Sequence, residues 1–239
     1  QACSQCSLDD TIFLVSMDLM PTSKSGVVQT LVHLHSEDPY TGMEARFASP
    51  TAIRLIAQTH WKRCYQEMQT LLGSAEGKPL VAALCGYVFE AHAKNLLKKG
   101  GTFCYRELVE GRAAKKPKME IKVPTSDCAI VADKVASDQK RDQLYVPRTS
   151  NFASIDAWMP GFGAFQITVA KKHDIKAGAT DDLAKLGEGG NRLFWLLPPL
   201  HFDSFQKQAP RRFTFEQFAI LIPYPEVVDE NSYEEILMF

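Results

Sequence analysis

Hydrophobic and polar positions alternate early in the chain and then change to helical spacing. Two early runs, 11–20 and 26–38, are predicted to be β-strands, the second because apolar and polar side chains alternate along it through Val32 and Leu34. Ser49 followed by Pro50 predicts the start of a helix, since Ser is a favourable N-cap and Pro fits the first helical turn. Apolar residues then recur three or four positions apart as far as Leu72, which extends the helical prediction that far.

A second helix is predicted from about Pro79 to Lys99, ended by Gly100 and Gly101. The remaining chain is mostly strand-like, and "RLFWLL" at 192–197 is continuously apolar, as buried central strands are. Further strands are predicted at 102–111, 119–123, 128–131, 152–158 and 164–170, with a short helix at 180–186 that has Thr180 as its N-cap and a last apolar run at 213–225. This order predicts an α/β fold with a mixed central sheet flanked by helices.

Composition places the chain among soluble globular proteins. It has 239 residues, of which 45% are hydrophobic and 23% charged, and its net charge is −1. A nearly neutral chain is not drawn as a whole to nucleic acid or to anionic lipid, so any such contact needs a local basic patch. No apolar run reaches the roughly 20 residues of a membrane span, so no membrane partner is expected. The start "QACSQCSLDD" has no charged and apolar leader, so no signal peptide is expected within this chain.

Candidate chemistry lies on a helix and on a probable β-hairpin. Glu90 lies in the middle of the second helix, Asp156 ends a strand run, and Gln166 follows ten residues later, beyond a turn containing Pro and Gly. Gln166 and Thr168 have the same strand parity and are expected to point outward on one face. Oxygen ligands of this kind are what Mg²⁺ takes in phosphodiester-cleaving sites.

Taken singly, each of these residues has a plainer interpretation. Glu90 fits an ordinary solvent-facing helical position, and Asp156 fits a residue that initiates a turn. Gln166 and Thr168 fit a solvated strand face. Their joint order on a helix, a strand and a hairpin favours a shared site.

Five short segments carry a resemblance to a known family, and they occur in the family's order. They are "GYVFEAHAKNLLKKGGTFCYREL", "LYVPRTSNFASIDAW", "AFQITVAKKHDIK", "RLFWLLPP" and "HFDSFQKQ". The region from about Leu80 to Pro199 resembles the restriction-endonuclease-like, PD-(D/E)XK nuclease core. More specifically, the chain is similar to the C-terminal region of Crinkler effectors and to trypanosome retrotransposon hot spot proteins.

The resemblance assigns a role to each candidate residue. Glu90 takes the place of the acid on the core helix and Asp156 that of the metal-binding Asp. Gln166 stands where the family has Asp or Glu, and Thr168 stands where it has Lys. Mg²⁺ would accordingly be held by Asp156, Glu90 and Gln166. The replacement cation expected in place of the family's Lys is Lys94, which lies four residues after Glu90 on one helical face. The weaker alternative is Lys172, which has the strand parity of Thr168 but lies about 13 Å further along the strand.

The resemblance also implies a domain order and a partner domain. Residues 1–74 look like the tail of an upstream ATPase-like domain, and residues 75–239 correspond to the nuclease-like domain. No Gly-rich phosphate-binding loop of the Walker type occurs in the chain, so no ATP binding by this fragment is expected.

Basic residues supply candidate nucleic-acid contacts. The run "RAAKKPK" at 112–118 holds four cations, among them Lys115, Lys116 and Lys118, and Lys171 and Lys172 follow the second hairpin strand. Such a run is typical of a nuclear import signal, of a phosphate-contacting loop or simply of a solvated hairpin tip. Resemblance to secreted effectors that reach the host nucleus favours the nuclear interpretation.

Two kinds of function therefore remain open. In one, the chain is an active Mg²⁺-dependent DNA endonuclease. In the other, a nuclease-like fold is kept as a binding module, for DNA or for a host protein, with weak or lost catalysis. The sequence favours the second, because one carboxylate and the lysine of the motif are missing together.

Overall fold

A computed structural model describes residues 32–35, 44–47, 49–59, 61–75, 79–109, 118–135, 138–148, 155–175, 178–186, 191–208 and 215–225. The chain divides into two compact units, with one boundary between Ala91 and His92 and the other between Tyr224 and Pro225. No helix in these ranges is both long and apolar enough to cross a membrane.

The first unit contains a two-stranded antiparallel sheet and a run of helices. Strands β1 (Val32–His35) and β2 (Glu44–Phe47) pair directly. Helix α1 (Pro50–Thr59) begins where the sequence predicts it, because Ser49 Oγ accepts a hydrogen bond from Ala52 N at 3.1 Å. The helices that follow are α2 (Trp61–Gln66), α3 (Met68–Ser74) and the first part of α4 (Pro79–Lys99).

The single helical pattern predicted as far as Leu72 is wrong in one respect, because it is divided into three helices. Glu67, between α2 and α3, has φ −97° and ψ 8°, which takes the backbone out of helical geometry. The buried side chains keep their helical spacing on either side of this break. The buried apolar set of the three helices is Ala52, Ile56, Ala57, Cys64, Tyr65, Met68, Leu71 and Leu72.

The second unit is built on an eight-stranded mixed sheet with the order β4-β3-β10-β9-β8-β7-β6-β5. Its strands are β3 (Gly101–Glu107), β4 (Met119–Val123), β5 (Ala129–Ala132), β6 (Leu144–Pro147), β7 (Ala157–Met159), β8 (Gly163–Ile167), β9 (Arg192–Leu197) and β10 (Glu216–Leu221). The pairs β8–β9, β9–β10 and β5–β6 are parallel and the others antiparallel. Two short helices, α5 (Gly178–Lys185) and α6 (Pro199–Phe202), lie on either side of β9 in the chain. The α/β class and the mixed sheet are therefore as predicted.

The prediction of a central strand at Arg192–Leu197 is confirmed. Strand β9 lies between β8 and β10, and all of its residues except Arg192 are buried. A strand enclosed on both faces has no use for polar alternation, which explains its continuous apolar sequence. The core around it consists of Leu108, Val135, Tyr145, Ile155, Trp158, Ala164, Ile175, Leu183, Leu186, Leu193, Trp195, Leu197, Phe202, Phe205, Phe215 and Ala219.

Several element boundaries differ from the prediction. Strand β7 begins at Ala157, so Asp156 lies just before the strand instead of ending it. Strand β8 ends at Ile167, so Thr168 lies past its end. Helix α5 begins at Gly178, which places the predicted N-cap Thr180 inside the helix. The predicted strand at 11–20 lies outside the described residues.

Candidate functional site

A tight turn between β7 and β8 sets the geometry around Asp156. Phe162 N donates to Met159 O at 2.9 Å, and the ladder then pairs Met159 with Gly163 and Ala157 with Phe165. Gly163 has φ +148°, a conformation that L side chains rarely adopt. This register carries Asp156 to the level of Gln166 and Ile167 on the neighbouring strand.

The structure brings the side chains of Asp156 and Gln166 into direct contact. Asp156 Oδ2 accepts one hydrogen bond from Gln166 Nε2 at 2.5 Å and another from Ile167 N at 2.7 Å. Hydrogen bonds to an ionised carboxylate are short and about twice as strong as those between neutral groups. One oxygen of Asp156 is thus used twice by protein N–H groups.

Gln166 and Thr168 are buried, so the expectation that they point outward on a solvated face is wrong. Gln166 is 4% exposed and Thr168 is 7% exposed. All five residues of β8 are buried too, so side chains on both faces of this strand are covered. Thr168 Oγ1 accepts from Ala170 N at 3.1 Å, which turns the chain away from the sheet after β8.

Gln166 Oε1 is a buried oxygen that lacks a hydrogen-bond partner within the described ranges. Its orientation follows from Asp156, because the opposite amide placement would set two acceptor oxygens 2.5 Å apart. The amide therefore gives its N–H to the carboxylate and points its oxygen elsewhere. Such an atom costs free energy unless a donor or a cation reaches it.

The two site residues predicted on a helix, Glu90 and Lys94, both lie on α4 but belong to different units. Glu90 is half-buried and lies in the first unit, whereas Lys94 is buried and lies in the second. The roles assigned to Glu90 as a metal ligand and to Lys94 as the replacement cation remain predictions.

The contacts of Asp156 use part of its capacity as a Mg²⁺ ligand. Mg²⁺ demands near-octahedral oxygen ligands and usually takes one or two carboxylates. Here the oxygen of Asp156 nearest to Gln166 already accepts two N–H groups, and the group beside it is a donor nitrogen. Among the described residues, no group of three or more His, Cys, Asp or Glu side chains could hold a metal ion.

The predicted nucleic-acid contacts have different surroundings. Lys171 and Lys172 are exposed on the loop that follows β8. Lys118 Nζ forms an ion pair with Asp203 Oδ1 at 3.0 Å and lies 5.5 Å from the centre of the Phe202 ring. Lys115 and Lys116 lie outside the described residues.

Two buried polar residues that the sequence analysis did not single out organise the sheet unit. Arg106 is 8% exposed and donates through Nε and Nη2 to Phe202 O, at 3.0 and 2.7 Å, and through Nη2 to Phe205 O at 2.5 Å. Burial lowers the pKa of this guanidinium. Gln217 Oε1 accepts from Trp195 Nε1 at 3.1 Å and from Gln208 N at 3.0 Å. In the sequence, both residues could have been found as a charged or amide residue inside an otherwise apolar strand pattern.

The chain is similar to two curated relatives that span nearly all of its length. It is 52% identical over 233 residues to Crinkler effector protein 15 of Phytophthora infestans and 51% identical over 233 residues to Crinkler effector protein 16 of the same organism. These alignments cover 97% of this chain but only 38% and 37% of the two relatives. Close homologues of the chain are thus Crinkler effectors, in agreement with the resemblance seen in the sequence. No protein-family profile and no solved structure matches the chain.

Proposed function

We propose that this chain is part of a secreted Crinkler-type effector that acts in the host nucleus, and that its sheet unit is a nuclease-like scaffold. On this scaffold, binding of nucleic acid is retained and metal-dependent cleavage is weak or lost. Homology to Crinkler effectors supports the effector role. The order of elements supports the scaffold: helix α4 precedes the antiparallel strands β6, β7 and β8, and α5 then leads to β9, parallel to β8.

The hydrogen bond from Gln166 Nε2 to Asp156 Oδ2, at 2.5 Å, carries the proposal. A metal ion would need this carboxylate to face other oxygen ligands, and the amide presents it with a donor instead. The Gln166 amide thus gives this oxygen a hydrogen bond in the place where a metal ion would otherwise bind.

The neutral residue at position 168 also supports weak or lost catalysis. Thr168 is neutral, and its hydroxyl oxygen is engaged with Ala170 N. Phosphodiester cleavage builds up negative charge in the transition state, and the loss of one stabilising contact typically costs about 10²–10³ in rate. A scaffold with a neutral amide at position 166 and a neutral hydroxyl at position 168, where the family has a carboxylate and a lysine, is a poor catalyst.

Retained binding rests on groups separate from this pair. Lys171 and Lys172 are exposed on the loop after β8, directly after the turn that Thr168 makes with Ala170. Phosphate contacts by such cations provide affinity without any sequence preference. Loss of the catalytic contacts therefore leaves this source of affinity intact.

One observation favours the second candidate function, an active Mg²⁺-dependent endonuclease. Gln166 Oε1 is buried and lacks a partner in the described part of the chain. A neutral amide oxygen can serve as a metal ligand beside carboxylates. In that case Asp156 and Gln166 would turn toward a shared cation.

Cleavage of duplex and single-stranded DNA with Mg²⁺ or Mn²⁺ tests the proposal, with wild type compared with Asp156→Ala. The control variant Asp181→Ala removes an exposed carboxylate from α5, in the same unit. We expect no cleavage above background from any of the three proteins, while fluorescence anisotropy shows that wild type binds DNA. Brisk cleavage that Asp156→Ala abolishes and Asp181→Ala leaves intact would establish the active endonuclease. Neither cleavage nor binding would leave the host-protein module as the surviving alternative.

A further inference from the structure

Strand β4 lies at one end of the eight-stranded sheet, and its outer edge is open. Among the described strands, β3 is its only neighbour. Met119, Glu120 and Lys122 are exposed, whereas Val123 at the end of the strand is buried. An edge strand presents unpaired N–H and C=O groups to any second strand that reaches it.

The pairing on the inner side of the sheet determines which main-chain groups of β4 face this edge. Leu108 N, just past β3, donates to a carbonyl oxygen of β10 at 2.8 Å, so the main-chain groups of Leu108 point to β10. Because these groups alternate sides along a strand, those of Phe103 point to β4, where Phe103 pairs with Ile121. The groups of Ile121 point back to β3. The N–H and C=O groups of Glu120 and Lys122 therefore point to the open edge.

The sequence of β4, "MEIKV", is complementary to itself. Ile121 is its central residue, with an acid before it and a base after it. When two copies of β4 pair antiparallel about Ile121, Glu120 of each copy lies directly opposite Lys122 of the other. Each of these pairs can exchange both of its main-chain hydrogen bonds, and opposite charges that face each other across two strands are favourable. Met119 then lies opposite Val123, so no like charges meet.

The other end of the sheet lacks this complementarity. Strand β5 carries no charge and exposes Ile130 and Val131. Two copies of β5 paired antiparallel about Ile130 would set Asp127 against Asp133, which are both acids. Pairing about Val131 would set Asp133 against Ala129 and form no ion pair. Charge complementarity therefore favours β4 over β5 as a surface for a second copy.

We propose that two copies of this chain associate through β4, so that the sheet of one copy continues into the sheet of the other. The two-fold axis passes between the two Ile121 residues, and each copy supplies the same surface. A dimer of this kind does not require nucleic acid, so it goes beyond the proposed function. The contact is short, so we expect dissociation in about the micromolar to millimolar range.

Charge reversal at the two complementary positions tests this dimer. Sedimentation velocity without nucleic acid gives the dimer Kd of wild type, Glu120→Lys, Lys122→Glu and the double variant over a concentration series. The matched controls Asp127→Lys and Lys134→Glu reverse exposed charges beside β5, at the opposite end of the sheet. Thermal unfolding shows that each variant is folded.

Each single reversal sets like charges against each other at both contacts, so we expect it to raise the dimer Kd about tenfold. The double variant restores both ion pairs and should return to the wild-type Kd. The two single variants, mixed in equal amounts, should pair with each other, because each supplies the charge that the other lacks. Both controls should match wild type. Amide hydrogen exchange of Glu120 and Lys122, followed by NMR, should slow as the concentration of wild type rises.

Four results would overturn the inference, and none of them bears on nucleic-acid binding. Wild type that stays monomeric throughout the concentration series would refute the dimer. A dimer that the reversals at positions 120 and 122 leave unchanged, or that the controls weaken equally, would have another interface. Single variants that fail to pair when mixed would show that Glu120 does not face Lys122 of the second copy. A dimer in which the exchange of both amides is unchanged would not be held by paired strands.

Discussion

The side chain at position 166 determines whether Asp156 receives a hydrogen bond or faces a second carboxylate. A glutamate at position 166 would offer two acceptor oxygens and a negative charge, whereas the glutamine offers an N–H donor. The donor is used, since Gln166 Nε2 lies 2.5 Å from Asp156 Oδ2. With glutamate at position 166, the pair with Asp156 would be suited to hold a cation. With glutamine, the amide N–H takes the place of the cation.

Gln166→Glu should destabilise the protein in the presence of a chelator. The substitution places two carboxylates in contact in a buried site, and losing one partner of a buried hydrogen-bonded charge typically costs about 1–3 kcal/mol. Excess Mn²⁺ should restore part of the free energy of unfolding, measured by urea denaturation, because a cation then has two carboxylates to bind.

The double variant Asp156→Asn with Gln166→Glu is the control for that prediction. It exchanges the two groups, so an amide again faces a carboxylate and stability should recover without Mn²⁺. A Gln166→Glu protein as stable as wild type in chelator would show that the hydrogen bond contributes little.

His92 should make the stability of the protein depend on pH. It is 4% exposed and its Nε2 lies 2.9 Å from Pro223 O. Burial, with a smaller effect of Lys99, lowers the pKa of His92 below its ordinary value, although the hydrogen bond to Pro223 opposes this. The unfolded chain, with a His pKa of about 6.5, thus takes up the proton first as the pH falls. Stability is therefore present above about pH 6.5 and is lost progressively below it.

The variant His92→Gln isolates this effect, since its amide nitrogen can take the place of Nε2 as a donor but does not titrate. The free energy of unfolding of wild type should drop more between pH 7 and pH 5 than that of His92→Gln. Equal drops in the two proteins would assign the pH dependence to other groups.

At the level of elements, the local spacing of apolar residues is enough to predict some helices and strands, whereas others depend on tertiary packing. The helix at Pro79–Lys99 and the strand at Arg192–Leu197 could be predicted because their apolar patterns are long and end at clear signals. Strands β7 and β8 were harder, since each has five residues or fewer and its ends depend on the pairing register. The burial of Gln166 does not follow from the sequence, because it depends on both faces of β8 being covered in the folded chain.

The β7–β8 turn should be less tolerant of a side chain than the start of β3. A Cβ on Gly163 would lie 2.8 Å from Arg192 O and from Phe194 Cε2, whereas a Cβ on Gly101 would have nothing within 4 Å. Both glycines have positive φ, +148° and +124°, so the backbone strain is similar in kind. Gly163→Ala should therefore cost about 1–3 kcal/mol more than Gly101→Ala. Denaturant unfolding checks the difference, and equal costs would show that the turn relaxes freely.

For the molecule as a whole, the burial of its thiols can be tested chemically. Cys64 and Cys85 are buried in the first unit, and Cys128 is exposed in the second. Burial, with a smaller effect of Cys64, raises the pKa of Cys85 to about 12. Because the thiolate is the reactive form, Cys85 should stay inert at neutral and mildly alkaline pH.

Alkylation of the native protein, followed by peptide mass spectrometry, should modify Cys128 within minutes and leave Cys64 and Cys85 unmodified. Denaturant should expose all three. Rapid native labelling of Cys85 would contradict the packing of the helices in the first unit.

The sequence by itself determined the α/β class, the long helix, the central strand and the likeness to Crinkler effectors, because these depend on local periodicity and on ordered motifs. It also placed Asp156 and Gln166 on one hairpin. Only the tertiary structure decided that Gln166 is buried and donates to Asp156, since that depends on the register of β7 and β8.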